Sequence, residues 1–170
     1  MKIENLKIKN NLILFVPIFI IVFLIACTNT MEVISGLTVY IITLFLIYFI
    51  SFYTDKKLES KFNKISLLLL IVSFVGIGCG ILTFPIQEKL NSKKAEKFIT
   101  EIEEFKKLNK RLPKDETEIK FPKSRNGLYV EEFEYYIPEV EQSGYIIKYF
   151  DGFWNTKVYV SNSKKWFTDD

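Results

Sequence analysis

The stretch ISLLLLIVSFVGIGCGILTFPI, residues 65–86, contains no Asp, Glu, Lys or Arg. A bilayer core about 30 Å thick needs roughly 20 apolar residues of helix to cross it. A soluble core helix turns polar on one face every three or four positions, and this stretch does not. It therefore reads as membrane-spanning. Two similar runs precede it: LILFVPIFIIVFLIACT from Leu12 to about Thr28, and VISGLTVYIITLFLIYFISFY from Val33 to about Tyr53. The first lies at the lower limit of spanning length. Three transmembrane helices, at about 12–28, 33–53 and 65–86, are expected to make a membrane region over residues 1–86.

Over all 170 residues the chain is 49% hydrophobic and 25% charged, with a mean hydropathy of +0.15. These averages hide a sharp partition, because the charges gather before Asn10, between Asp55 and Lys64, and after Gln87. Such a pattern excludes an ordinary soluble globule, a disordered tail and a disulfide-stapled peptide. Lysines set the direction. Lys2, Lys7 and Lys9 precede the first run, and Lys56, Lys57, Lys61 and Lys64 separate the second from the third, whereas the link from Thr28 to Glu32 has none. Positive charge in short loops stays cytoplasmic. The amino terminus is then inside a bacterial plasma membrane, and the carboxyl-terminal part, residues 87–170, is extracytoplasmic. That part carries 16 basic and 16 acidic residues, so the net charge of +3 belongs to the membrane flanks. It is a topology signal and points to no nucleic acid.

Within the membrane runs ionisable groups are absent, so no transport or proton-relay site is expected. Gly76 and Gly80 stand at GxxxG spacing and make a flat face for helix packing, against the second run or another subunit. A phosphate-binding reading of these glycines lacks the strand and polar flanks it requires. Leu24-Ile25-Ala26-Cys27 resembles the lipobox of bacterial lipoprotein signal peptides, which makes Cys27 an alternative lipidation site. The competing reading is a cysteine at a helix end.

After Ile86 the apolar residues Leu90, Ala95, Phe98, Ile99, Ile102, Phe105 and Leu108 recur at helical spacing among Lys and Glu. Pairs Lys97–Glu101 and Glu103–Lys107 support the helix, and Leu112-Pro113 marks its end. Pro85 is expected to kink the junction with the third run, but no linker separates the two, so one continuous helix is expected. Strand candidates follow at about Leu128–Ile137, Tyr145–Phe150 and Thr156–Ser161, punctuated by Asn126-Gly127, Ser143-Gly144 and Asp151-Gly152. Links this short suit antiparallel pairing. The expected fold is α-helical membrane protein plus a small α+β domain, one long helix packed on a three-stranded antiparallel sheet.

Phe98-Ile99-Thr100-Glu101-Ile102-Glu103-Glu104-Phe105, leading into Lys107-Leu108-Asn109-Lys110-Arg111-Leu112-Pro113, resembles the helix end and Asn-Gly-x-Tyr-Pro corner of pseudopilins, notably the major pseudopilin of type II secretion. Tyr159-Val160-Ser161 followed by Trp166 is similar to the final strand and aromatic of such domains. Lys110 and Leu112 stand where that corner has Gly and Tyr, and the amino terminus lacks a prepilin cleavage signature. The resemblance implies a pilin-like α+β domain, as in some bacterial membrane proteins, without peptidase processing or polymerisation.

Candidate chemistry is sparse. The chain has no histidine, which excludes a Ser-His-Asp triad; a pairing of Ser161 or Ser163 with Lys164 or Lys165 has no supporting feature. Glu131, Glu132 and Glu134 can act as acid–base groups or hold calcium, but Glu132 and Glu134 alternate with Glu131 as solvated strand positions do. Asp151-Gly152 reads as turn chemistry. Tyr135, Tyr136, Tyr149, Phe150, Phe153, Trp154, Trp166 and Phe167 suit a small core or the bilayer interface better than a glycan platform. No catalytic residue, cofactor or metal is expected. The expected partners are membrane lipid, another envelope protein and, through the glycines, a second copy. Two other roles are compatible with the residues: a subunit of a secretion or pilus-like machine, and a small membrane enzyme.

Overall fold

Apolar runs and charged segments fold separately. A computed structural model describes residues 15–58, 62–138, 144–152 and 155–169, in two units, Met1–Thr83 and Phe84–Asp170. The amino-terminal lysines, the centre of the second link, Ser143, Phe153, Trp154 and Asp170 lie outside the described residues.

The first unit contains helices α1 (Phe15–Ala26), α2 (Met31–Leu58) and α3 (Phe62–Ile81). Two helical stretches, Met31–Thr54 and one within Phe62–Asn109, are long and apolar enough to cross a membrane; α1 is a shorter apolar helix. Large side chains of α2 such as Val39, Phe49 and Ile50 are each 64% exposed. Water would strongly disfavour an apolar surface of this extent. Helix α3 buries Ser66, Leu70, Ser73, Gly76 and Gly80, and the serines pin it to α2. Ser66 Oγ lies 2.7 Å from Ser51 Oγ, and Ser73 Oγ 2.9 Å from the Tyr40 hydroxyl. Each hydroxyl thereby has a partner within the apolar unit.

Within the helical stretch Phe62–Asn109, α3 ends at Ile81, Leu82 and Thr83 form a two-residue turn, and α4 (Phe84–Asn109) follows without a linker. Thr83 Oγ1 donates to Gly80 O at 2.7 Å. Pro85 falls in the first turn of α4, where a missing N–H costs no helical bond.

In the second unit, α4 buries Asn91, Ala95, Phe98 and Ile102. Leu90 and Leu108, expected on this stripe, are exposed instead; Asn91 takes the place of Leu90. The sheet is also corrected. Among the described residues six strands form: β1 (Lys123–Asn126), β2 (Tyr129–Glu132), β3 (Glu134–Tyr136), β4 (Ile146–Gly152), β5 (Asn155–Val160) and β6 (Lys165–Asp169). The first two make a hairpin of their own, and β3-β4-β5-β6 make a four-stranded antiparallel meander, not a three-stranded sheet. The run Leu128–Ile137 divides because Phe133 leaves the strand direction for the core. Its N–H donates to Pro122 O at 2.9 Å, and its ring stacks on Tyr149 at 4.7 Å. Phe98 of α4 lies edge-on to Phe121, Phe133 and Tyr135, and Ile147 and Tyr145 complete a core between helix and sheet.

Candidate functional site

Helix packing in the first unit centres on the two glycines. A Cβ at Gly80 would lie 2.5 Å from Ala26 Cβ and 2.7 Å from the Ala26 carbonyl carbon, and one at Gly76 would lie 3.1 Å from Val22 Cγ1. Val22 and Ala26 have the same four-residue spacing as the glycines, so a ridge of α1 lies in the groove of α3. The partner is thus α1, where the second run or another subunit was expected. Close approach lets many weak dispersion contacts accumulate without side chains between the backbones. Cys27, the alternative lipidation site, follows directly and is buried; the Ala26 that the lipobox reading places at its cleavage point is the residue seated on Gly80. Between α1 and α2 lies an apolar cleft of about 370 Å³ bordered by Ile18, Ile25, Gly36 and Tyr40.

In the second unit the structure brings Glu131, Glu132 and Glu134 to one shallow groove of about 210 Å³ with Lys148. Glu132 lies 3.7 Å from Lys123 Nζ across the hairpin, and Glu134 is the cross-strand neighbour of Lys148. Of the three, Glu132 is in an ion pair. Among the described residues no group of three His, Cys, Asp or Glu is placed to hold a metal ion. Ser161 Oγ accepts the Tyr145 N–H at 2.7 Å and closes the strand ends, so its hydroxyl is held by backbone.

Asp151, read from sequence as part of a turn, has a different setting. Its side chain is 7% exposed, Oδ2 is 3.8 Å from Lys157 Nζ, and Oδ1 is buried with no hydrogen-bond partner. Burial, then the negative charge of Glu88, raises its pKa above the ordinary aspartate value, against the pull of Lys157. The aromatic residues divide. Tyr135, Tyr145, Tyr149 and Tyr159 face the core, and burial raises all four phenols, Tyr135 to about 12. Phenols so raised stay protonated and act as hydrogen-bond donors: Tyr145 to Glu103 at 2.9 Å, Tyr135 to Pro113 O at 3.0 Å. Glu103, expected to pair with Lys107, thus turns to the sheet. Phe167 is exposed, and Trp166, also partly open to solvent, lies against the rings of Tyr149 and Tyr159 at 5.7 and 5.1 Å.

Three amide side chains fix this unit, and two of them, Asn91 and Gln87, belong to no recognised motif. Asn91 receives Arg125 N–H at 3.0 Å and donates to Arg125 O at 3.2 Å, while Asn126 donates to Phe150 O at 3.1 Å. Gln87 receives the Gly127 N–H at 2.6 Å. The helix, the hairpin and the sheet are joined through amides, a role visible in sequence only as a polar residue on an apolar stripe. The chain matches no protein-family model, no curated protein and no solved structure.

Proposed function

We propose that this chain is a bacterial plasma-membrane protein that crosses the bilayer three times and holds a pilin-like α+β domain outside the cytoplasm. In this reading it works without catalysis, by contact, as an interaction or scaffolding module of the cell envelope. The observation that carries it is the exposed hydrocarbon surface of α2 and α3 in a chain whose other half is charge-balanced and builds its own core. Lipid covers the former, and the latter has a surface suited to binding. Tyr135, Tyr145, Tyr149 and Tyr159 are held in its core, and Glu101, Glu118 and Glu132 lie in ion pairs, which supports contact over chemistry. Reporter fusions after Asp170, one active only in the periplasm and one only in the cytoplasm, test the topology. Activity of the cytoplasmic reporter alone would overturn the reading.

A second reading, an accessory subunit of a secretion or pilus-like assembly, is favoured by one observation: a helix laid on an antiparallel meander, the arrangement the pseudopilin resemblance implies. Co-purification with an assembly ATPase or its membrane platform distinguishes the two. For the enzyme alternative, loss of an activity on replacing Glu131, Glu132 and Glu134 by Ala, with the fold intact, would count against both.

A further inference from the structure

Strand β6 ends the four-stranded sheet, and all five of its residues are exposed. A sheet edge presents unpaired N–H and C=O groups, and proteins usually guard such edges with a central charge, a proline or a bulge. Here the middle of the edge is Trp166-Phe167-Thr168, with charge only at the ends, Lys165 and Asp169. Among the described residues neither charge has an ion-pair partner.

The pattern is self-complementary. If a second β6 runs antiparallel with Phe167 on the two-fold axis, Lys165 lies opposite Asp169 of the other copy, Trp166 opposite Thr168, and Phe167 beside its own equivalent. Both ends gain an opposite-charge pair and the centre an aromatic pair, the cross-strand combinations that stabilise sheets. A contact in which each copy supplies the same patch closes as a dimer. The other edge, β3, has three residues and offers a shorter template for head-to-tail growth.

We infer that two copies of this chain pair through β6, antiparallel and centred on Phe167, to form one eight-stranded sheet. This deepens the contact-module reading by naming a partner, and the two fail separately: the reporters test where one chain's tail lies, and the pairing is tested between two chains.

The test is a cysteine scan of the full-length chain in its own membrane, with Cys27 and Cys79 replaced by Ala. Single cysteines at positions 165 to 169 are oxidised and the disulfide-linked dimer is measured. The expected result is a maximum at 167, several-fold less at 166 and 168, and background at 165 and 169. Differently tagged Lys165→Cys and Asp169→Cys chains should crosslink to each other when co-expressed. In the Phe167→Cys background, Lys165→Asp or Asp169→Lys alone should lower the dimer several-fold, and the two together should restore it. A flat scan, a maximum away from 167, a crosslink to β3 or failure of the double reversal would each overturn the proposal. Both reversals change exposed side chains, and recovery in the double variant distinguishes lost pairing from lost folding.

Discussion

Lys110 closes α4 with φ 57°, a left-handed conformation that an L side chain adopts at a cost of about 1 kcal/mol. Its N–H still donates to Lys106 O at 2.9 Å, so the strain is local to one residue. This is the position at which the pseudopilin corner has Gly. Lys110→Gly should raise the stability of the second unit by about 0.5–1 kcal/mol, read in denaturant by the fluorescence of Trp154 and Trp166, both of which belong to that half of the chain. Two carboxylates of the same unit have opposite pH signs. Glu118, held by Arg111 at 2.6 Å and by Lys114 N–H, has its pKa lowered to about 2. Its contribution is present above the unfolded carboxylate range and fades as pH falls from there towards 2. Glu118→Gln should therefore lower the melting temperature at pH 7, by an amount that shrinks towards pH 2. Asp151 is the reverse: its native pKa is raised, so the native state binds the proton more tightly and gains stability as pH falls through that pKa. Asp151→Asn should stabilise the full chain at pH 7, with an advantage that shrinks on acidification; an unchanged difference across that range would contradict the assignment.

At the scale of elements, steric room decides. Gly80→Ala should destabilise the α1–α3 crossing by about 1–3 kcal/mol, the usual cost of overpacking. Gly78→Ala, where an added Cβ meets open space, should not. Resistance of the membrane unit to SDS unfolding compares the two. What was legible in the sequence followed from periodicity and from the length of uncharged runs. The α4 stripe around Phe98 repeats at helical spacing and β4 alternates buried and half-buried residues, whereas α2 and α3 were legible from unbroken apolar length. What was not legible depended on partners distant in sequence. Strand β1, Lys-Ser-Arg-Asn, has no hydrophobic alternation and exists because Ser124 and Asn126 are buried through hydrogen bonds, to Glu131 O and Phe150 O. The break at Phe133 depends on a ring site formed by Tyr149 and Phe98, and β6 is too short and too charged at its ends to stand out. The glycines were recognisable from their spacing, but the identity of the facing helix was not, because α1 carries no glycine pattern of its own. Asp151-Gly152 looked like an ordinary turn, since burial of a carboxylate leaves no mark in the residues beside it.

At the scale of the whole molecule, charge and hydrocarbon are allotted to different halves, and each half is stabilised by its own means. The first half uses close backbone approach and hydroxyl pairs; the second uses a stack of aromatic rings and an amide clip. Asn91→Ala should remove the clip while leaving the membrane half intact. The cost should be about 1–3 kcal/mol, the penalty for leaving the Arg125 backbone groups unsatisfied, visible as faster proteolysis near residues 123–132 with SDS resistance unchanged. The junction of Ala26 with Gly80 has a further consequence. Space there is shared between two positions far apart in the chain, so a methyl added to one must be removed from the other. Exchanging them, glycine at 26 and alanine at 80, should recover the fit that either change alone disturbs. A lineage could therefore drift at these sites only in compensating steps, so their identities should be inherited as a pair.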